Sequence, residues 1–441
     1  MTHALSRRQF LHYTGIIALG TALTAACAPA AAPAQPSADS TADQEKVTVN
    51  IFDYDPTGTD AWVVADQQFT DYFVEKYPNI ELVREQAPWT GFTEKLLTSI
   101  AGGTKYDVIY GYWEWLPLFI DNSVVGPLDE LLAADSELDP ADFYDYAKET
   151  VDGQTYGLAW FISGWLHWYN RTAIAAANQP DLKELDQAGE WDYDAWYRFA
   201  QEMTGEQDGA PIYGYDMAST RSPSVYSMLA WAWGTDLWNE DFTESLVNSP
   251  ENIERWTWLQ QFYMEGLSPT PGTGTEETLG FTQGRSMATM GGQWYTRNIV
   301  QDEAPSKFDI GMVQFPKGPE GQISVAALNS YYFGQQPGDV DASWSWYKER
   351  SFSEKAGEIY APIGGGRFPP RKSITPAVLY EWEDTEVYES IRPTLRTYRT
   401  SPKESEWLTL WEAAWDEMIL GTRPVGEILD QLAEESTALV S

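Results

Sequence analysis

Residues 47–52 read VTVNIF, residues 80–83 read IELV and residues 106–110 read YDVIY. These three runs are rich in β-branched and aromatic residues and predict strands. Residues 60–76 and 91–101 lie between them and predict helices, and in the second stretch the apolar residues recur at helical spacing. Strands and helices that alternate over short loops predict a parallel, doubly wound α/β sheet.

The ends of the three strands form the first candidate ligand site. Ligands of a doubly wound sheet bind beyond the carboxyl ends of its strands. Residues 54–59, 88–90 and 112–114 follow the predicted strands, so we expect them along one edge. Further on, residues 153–160 predict a hairpin-like turn that leads into a long apolar strand ending at Asn170.

The length and the charge of the chain limit the number of its domains and the kinds of partner that it can bind. The chain has 441 residues, enough for two large domains or three smaller ones. It carries 66 acidic and 28 basic residues, a formal net charge of −38, which repels phosphate backbones and argues against a nucleic-acid partner. The single cysteine excludes an intramolecular disulfide and a cysteine-based metal cage.

Residues 1–26 resemble a secretory signal peptide, with a basic start and then an apolar run too short to span a membrane. Arg7-Arg8 followed by Phe10 is similar to the twin-arginine type, which exports folded chains. Cys27 follows the letters LTAA, which resemble a bacterial lipobox with its leucine one place too early. We therefore expect a lipid on Cys27 that anchors the protein outside the cytoplasm; the alternative is ordinary cleavage beside an incidental cysteine.

The segment 27–46 is rich in Ala, Pro and Ser and predicts a flexible tether. Removal of residues 1–26 leaves His167 as the only histidine, which excludes a multi-histidine zinc site. We expect no metal and no cofactor. Asp53 begins a stretch that is similar to a calcium-binding loop, but Pro56 interrupts it and Val64 stands where such a loop needs Glu.

Several later segments occur in an order typical of one family. The segments are residues 95–108, the YGL of 156–158 with the WYN of 168–170, the FTQGRSMA of 281–288 with Gly292 and Trp294, residues 308–319, and residues 411–432. Together they resemble the extracellular solute-binding proteins of family 1, the binding components of carbohydrate ABC importers related to maltose-binding protein. The resemblance covers the chain from about residue 47 to residue 435.

This resemblance implies two α/β lobes, each built on a mainly parallel sheet, with a hinge of two or three crossings and a ligand cleft between the lobes. The implied crossings are 158–161, 310–316 and 346–352; the implied lobes are 47–158 plus 317–348 and 159–309 plus 353–441. It further implies a monomer without enzymatic activity that binds a carbohydrate and delivers it to a membrane permease.

A sugar presents apolar C–H faces and a rim of hydroxyls, so its site should combine aromatic rings with carboxylates, amides or arginine. The candidate ligand-binding residues are Tyr54, Asp55, Trp89, Tyr112, Trp113, Glu114, Trp160, Trp231, Trp294, Tyr331 and Arg367. Trp294 is the first choice, because the matching aromatic residue of the family commonly stacks on sugar and the glycines before it let the backbone come close.

Each candidate also has a structural reading. Tyr54 and Asp55 could belong to a capped turn, Trp89 and Trp294 could pack in a core, and Arg367 could form a surface ion pair. Two pairs of tryptophans, 160 with 165 and 231 with 233, are each predicted to lie on a strand or an extended segment. Alternation along such a segment should direct only one ring of each pair into the cleft, and we favour Trp160 and Trp231. The tryptophans at 407, 411 and 415 recur every four residues and predict a core stripe.

Two other functions remain open at this point. A secreted glycoside hydrolase would also use aromatic residues and a pair of carboxylates. The same fold could instead bind a peptide or a cationic solute, which the negative charge permits. A nucleophile–base pair of Ser163 and His167 is disfavoured, because no nucleophile-elbow glycine pattern surrounds it.

Overall fold

The computed structural model describes residues 46–55, 60–270, 279–361, 368–374, 380–401 and 403–441. The predicted signal peptide, Cys27, nearly all of the predicted tether and Arg367 lie outside the described residues.

The strands are β1 (Val47–Tyr54), β2 (Ile80–Ala87), β3 (Val108–Tyr112), β4 (Val125–Gly126), β5 (Lys148–Val151), β6 (Gln154–Asn170), β7 (Gly205–Gln207), β8 (Ala210–Ile212), β9 (Ala288–Gly292), β10 (Ile310–Val313), β11 (Ser324–Gly334) and β12 (Leu395–Arg396). The helices are α1 (Asp60–Lys76), α2 (Phe92–Ala101), α3 (Leu116–Asp121), α4 (Asp129–Ala134), α5 (Arg171–Ala176), α6 (Leu182–Gln187), α7 (Tyr193–Met203), α8 (Pro223–Ala232), α9 (Pro250–Met264), α10 (Leu279–Thr282), α11 (Thr296–Gln301), α12 (Val340–Phe352), α13 (Glu354–Tyr360), α14 (Thr385–Ile391), α15 (Glu404–Leu420) and α16 (Val425–Val440).

The predicted parallel sheet is present at the start of the chain. β1 pairs in parallel with β2 along its whole length, from Val47 beside Ile80 to Tyr54 beside Ala87. It pairs in parallel with β3 on its other side. Asp107, just before β3, accepts hydrogen bonds from the backbone N–H groups of Asn50 and Gly338 at 2.6 and 2.5 Å, which ties β1 and the loop before α12 to the start of β3.

Two long strands carry the sheet across the molecule, which runs in the order β10-β6-β11-β3-β1-β2. β11 is antiparallel to both β3 and β6, and β6 is antiparallel to β9 and β10. The second half of the sheet therefore contains more antiparallel pairing than predicted. Parallel pairing among its described strands is short: it includes β11 with β12, and single bridges such as Tyr213–Ser286.

The buried apolar residues form two clusters. The first core gathers β1 to β3 with α1, α2, α12 and α13, and includes Phe69 and Trp346. The second core gathers most of β6, β9 and β10 with α7 to α9, α15 and α16, and includes Trp196 and Trp256. Trp411 and its neighbours at 407 and 415 are fully buried there, as the helical stripe predicted. The α/β class with two bodies is confirmed.

The chain changes from one core to the other at three places. On β6, Leu158 packs in the first core and Ile162 in the second, next to the expected crossing at 158–161. β10, which lies in the predicted crossing 310–316, packs wholly in the second core. The change occurs instead within β11, between Leu328 and Tyr331, at a register shift opposite Phe161.

The last change of core also lies later than predicted. α12 and α13 both pack in the first core up to Tyr360, so the predicted crossing at 346–352 is helical and belongs to that core. Phe368 packs in the second core. Apolar periodicity did not reveal the change within β11, because that strand is apolar on both sides of it. It did not reveal the later change either, because α12 and α13 both pack in the first core.

Candidate functional site

Three aromatic side chains meet at the carboxyl edge of the parallel strands, and we call Tyr54, Trp89 and Tyr112 the aromatic rim. Tyr54 ends β1, Trp89 lies two residues beyond β2, and Tyr112 ends β3. The centroid of the Trp89 ring lies 6.0 Å from that of Tyr54 and 4.9 Å from that of Tyr112. Trp89 is 43% exposed, so the rim is open to solvent, as the strand-end argument predicted.

Further rings support the rim from inside the first core. Tyr54 stacks on Tyr110 with 5.7 Å between ring centroids, and Trp89 packs against Trp115 at 4.7 Å. Trp115 in turn stacks on Phe92 of α2 at 4.9 Å. This packing limits the rotation of the rim side chains, so the rim is held in place before any ligand arrives.

Asp55 extends the same edge. Its backbone N–H donates to the carbonyl of Ala87 at 2.7 Å, which continues the β1–β2 pairing by one residue, and its side chain is half-buried. The residues that follow, 56–59, lie outside the described part of the chain.

Trp294 follows β9, on the side of the second core. Its half-buried ring packs against both hydrophobic cores and lies edge-on to Trp165 at 6.2 Å. A Cβ atom on Gly292 would lie 2.7 Å from the Trp294 ring. Gly292 is therefore needed so that the indole can fold back over its own strand, which differs from the predicted role of admitting a ligand to the backbone.

Arg297 is a further candidate site residue that the sequence did not reveal. It lies one helical turn beyond Trp294, on α11, and it is half-buried. Burial raises the pKa of the Tyr54 hydroxyl and the charge of Arg297 opposes that rise, so Arg297 lies close enough to Tyr54 for its charge to act on the rim. Burial lowers the pKa of Arg297 itself, and its Nε has no hydrogen-bond partner among the described residues. Its spacing of three residues from Trp294 was the available signal.

Glu114 joins the two bodies at the end of the rim. It lies two residues beyond Tyr112, and the side chain of Ser224 on α8, a helix of the second core, is close enough to its carboxyl group to oppose the rise in its pKa. Burial raises its pKa to about 7, and Oε1 is buried with no hydrogen-bond partner among the described residues. Burial and then the nearby charge of Glu114 raise the pKa of Glu404 to about 8.

Glu404 is held by two donors. The hydroxyl of Tyr398 donates to its Oε1 at 3.0 Å and the backbone N–H of Ser401 donates to its Oε2 at 2.7 Å. Glu114 and Glu404 are therefore two buried carboxyl groups with raised pKa values, and the charge of the first acts on the second.

Three predicted site residues are buried. Trp113 is 4% exposed and packs in the second core, and Trp160 and Tyr331 are 8% and 1% exposed in the first core. Tyr331 lies inside β11, and its hydroxyl donates to Asp53 at 3.0 Å. None of these rings presents a face that a sugar could cover in this structure.

The reasoning from tryptophan pairs needs correction. Trp231 is the penultimate residue of a helix, α8, so strand alternation does not apply to it; it is 3% exposed and lines a separate surface cavity of about 450 Å³ with Arg396. Trp160 and Trp165 do lie on one strand, but Trp165, not Trp160, contacts Trp294. The register shift opposite Trp160 explains why simple alternation failed.

Other candidate chemistries find no support in the described residues. His167 is fully buried against Trp196 and shares a hydrogen bond with the Tyr215 hydroxyl at 2.9 Å. In the part of the chain that the structure describes, no cluster of three His, Cys, Asp or Glu side chains could hold a metal ion. None of the described helices combines the length and apolarity needed to cross a membrane.

Solved structures share this architecture. A Listeria monocytogenes ABC substrate-binding protein in complex with cycloalternan superposes with a TM-score of 0.77 at 18% identity, covering 90% of this chain and 99% of that one. A Thermotoga lettingae solute-binding protein bound with α-D-tagatose gives 0.74 at 18% identity, covering 89% and 100%. The maltose/maltodextrin-binding domain MalE of Bdellovibrio bacteriovorus bound to maltotriose gives 0.71 at 13% identity, also covering 89% and 100%. These likenesses establish the two-lobed fold.

Sequence relatives lead to the same class. A Brucella abortus binding protein is 25% identical over 281 residues, which are 62% of this chain, and the match spans 64% of that relative's length. The family model described as bacterial extracellular solute-binding protein matches residues 67–386. The chain belongs to the bacterial extracellular solute-binding proteins, as its motifs predicted.

Proposed function

We propose that this protein is the substrate-binding component of an ABC importer, which captures a carbohydrate between its two cores outside the cytoplasm and delivers it to a membrane permease. The observation that carries the proposal is the open aromatic rim, with Trp294 and Arg297 on the opposite body. Proteins of the same fold bind cycloalternan and maltotriose, which supports a carbohydrate over a peptide or a cationic solute.

The proposed contacts follow from the chemistry of sugars. Trp89, Tyr54 and Trp294 would cover the apolar C–H faces, since flat rings do so at little cost in side-chain entropy. Arg297 and Glu114 each carry a buried polar atom without a hydrogen-bond partner among the described residues, and sugar hydroxyls would satisfy both. Several adjacent rings offer more than one stacking face, which favours an oligosaccharide over a single sugar ring.

Closure of the two bodies would complete the site. β6 and β11 pass from one core to the other side by side, so a change in their twist would move the bodies relative to each other. Glu114 on Ser224 and Arg297 beside Tyr54 are contacts that such a motion would make or break. A ligand that touches both bodies would bias this two-state equilibrium towards closure.

For the full chain, we further propose export by the twin-arginine route, a lipid on Cys27 and a monomeric state. The letters LTAA before Cys27 and the paired arginines support this part. Fractionation of cells that produce a Cys27→Ala variant tests it, because loss of the lipid should release the protein from the membrane.

The experiment that tests the central proposal is a thermal-shift screen of the purified chain against mono- and oligosaccharides, followed by calorimetry on the best ligand. Trp294→Ala should remove the sugar-dependent shift. Trp258→Ala is the matched control, because Trp258 is also a half-buried ring against the second core but packs on Tyr193 and Phe262, away from the rim.

Three outcomes would contradict the proposal. Stabilisation by polyamines or peptides and not by sugars would show a different solute. Hydrolysis of aryl glycosides would show a hydrolase. An equal loss of the sugar shift in both tryptophan variants would show that Trp294 acts through stability alone.

A further inference from the structure

Arg350 is a buried cation that forms no ion pair with any residue in the described part of the chain. It lies in the last turn of α12 and is 1% exposed. Its guanidinium carbon lies 3.7 Å from the ring centroid of Tyr360, 3.9 Å from that of Trp160 and 4.9 Å from that of Tyr331. We call these three rings the aromatic cage. All three guanidinium nitrogens lack a hydrogen-bond partner among the described residues.

Two carboxylates act on Arg350 without accepting a hydrogen bond from it, and Oδ2 of Asp53 also has no hydrogen-bond partner among the described residues. Asp53 and Asp66 act on Arg350 electrostatically, but both pair with Arg84, with N–O distances of 3.4 Å. Asp53 also accepts from the Tyr331 hydroxyl at 3.0 Å, and Asp66 accepts from the Tyr360 hydroxyl at 2.6 Å. The cage rings thus hold the carboxylates on one side and leave the N–H groups of Arg350 without acceptors.

A cavity opens on the guanidinium. Its volume is about 40 Å³, and Arg350, Trp160, Phe352, Gly357, Tyr360 and Pro370 are among the residues that line it. One water needs about 10–15 Å³ on this measure, so the cavity holds a few atoms and no sugar. Most of its wall is apolar, so the charge of Arg350 is expected to determine which kind of molecule binds in the cavity.

We propose that this cavity binds a small monovalent anion, a halide or a short carboxylate, on the guanidinium of Arg350. A buried charged donor left without acceptors is costly, and an anion satisfies the N–H groups while neutralising the charge. The small volume excludes larger anions. The walls come from α12 and α13, which pack in the first core, and from residues 369–374 beyond Phe368, which packs in the second. The anion would therefore stabilise the packing between these segments, independently of any sugar.

The test is thermal unfolding of the full chain with sodium chloride replaced stepwise by sodium methanesulfonate at constant ionic strength. At about ten times the dissociation constant, chloride should raise the Tm by about 2–4 °C. Sodium acetate forms a second series; a rise in acetate alone assigns the site to carboxylates, and a rise in chloride assigns it to halides. Crystals soaked in bromide should show anomalous scattering beside Arg350.

Two variants separate the anion site from folding. Arg350→Met removes the charge and should abolish the chloride effect. In case that variant does not fold, Gly357→Leu obstructs the cavity instead: Gly357 is exposed on α13, and a Cβ atom there meets nothing within 4 Å. Gly426→Leu is the matched control on α16, where a Cβ atom is equally unobstructed.

The chloride effect should vanish in Gly357→Leu and persist in Gly426→Leu. Equal Tm values in all three salts, together with no bromide peak at Arg350, would overturn the proposal and leave water as the occupant. A chloride effect that survives in Gly357→Leu would overturn it as well.

Discussion

The aromatic rim and the aromatic cage are each a set of three rings, but the rim is open to solvent and the cage is buried. Trp89 of the rim is 43% exposed, whereas Trp160, Tyr331 and Tyr360 of the cage are at most 8% exposed. Trp62 touches both sets, at 5.9 Å from Tyr54 and 6.1 Å from Trp160, so the two lie close together. The role of each ring therefore does not follow from the kind of ring or from the closeness of the two sets.

Position along the strand decides it. Tyr54 and Tyr112 are the last residues of β1 and β3, where the sheet ends and the rings reach solvent. Trp160 and Tyr331 lie inside β6 and β11, where α12 and α13 cover the sheet and supply Arg350 and Tyr360. The rim is therefore suited to a ligand from outside, and the cage to a charge within the protein.

The largest expected difference between the two sets is in stability. Trp160→Ala should lower the free energy of unfolding by about 3–5 kcal/mol, because it removes a buried ring and one face of the Arg350 cage. Trp89→Ala should lower it by less than about 1 kcal/mol, because that ring is already partly in water. Urea unfolding of both variants followed by circular dichroism measures the difference.

The same variants should reverse their order in sugar binding. Trp89→Ala should weaken binding about tenfold or more, as loss of a stacking face does. Folded Trp160→Ala protein should keep most of its affinity. Equal losses of unfolding free energy in the two variants would contradict the distinction between an open rim and a buried cage.

The carboxyl groups near the two sets differ in the same way. Beside the cage, Asp53 and Asp66 are paired with Arg84. Beyond the rim, burial raises the pKa values of Glu114 and Glu404 to about 7 and 8, and the main influences on these two values include no cation.

This contrast predicts how stability depends on pH. Between the ordinary glutamate pKa of 4.5 and about 8, the unfolded chain releases the Glu404 proton while the folded chain keeps it, so the pair makes the protein less stable as pH rises. Glu404→Gln should remove a slope of about 1 kcal/mol per pH unit between pH 5 and 7, below the limit of about 1.4 for one proton.

Urea midpoints of the wild type and Glu404→Gln at pH 5, 6 and 7 measure this slope. Glu251→Gln is the control, because Glu251 is an exposed residue in the first turn of α9. A difference between wild type and Glu404→Gln that stays constant with pH would show that Glu404 is ionised in the folded protein throughout this range.

Much of the fold could be predicted from the sequence. The first three strands and two helices lie within a few residues of their predicted bounds, because local periodicity and turn residues decide them. The crossings at β11 and after α13 could not be predicted in the same way. β11 stays apolar while it passes from one core to the other, and after α13 the first core ends at Tyr360 and the second includes Phe368, so only tertiary packing marks these changes.

The site could be predicted in part. The strand-end rule placed Tyr54, Trp89 and Tyr112 together, because parallel strands bring their carboxyl ends to one edge. Trp231 was misplaced because a helix was read as an extended segment. Arg297 was missed because its spacing of three residues from Trp294 does not by itself distinguish a site arginine from a surface one. Its proposed role depends on Tyr54, which is more than 200 residues away in the chain.

The smallest expected effect concerns the residue that positions Trp294. Gly292 has φ −72° and ψ 172°, angles that alanine adopts without strain, so only the added methyl group matters. That Cβ atom would lie 2.7 Å from the Trp294 indole and 3.0 Å from the Cβ of Ser163, so the ring must move outward.

Gly292→Ala should therefore weaken binding of the best oligosaccharide several-fold, up to about tenfold or 1.4 kcal/mol. Calorimetry measures this change against Gly205→Ala, where a Cβ atom meets nothing within 4 Å. Because Trp89 and the rest of the rim are untouched by this substitution, an unchanged affinity would mean that the rim binds sugar without Trp294, and the proposed two-sided site would then have to rest on Arg297 and Glu114.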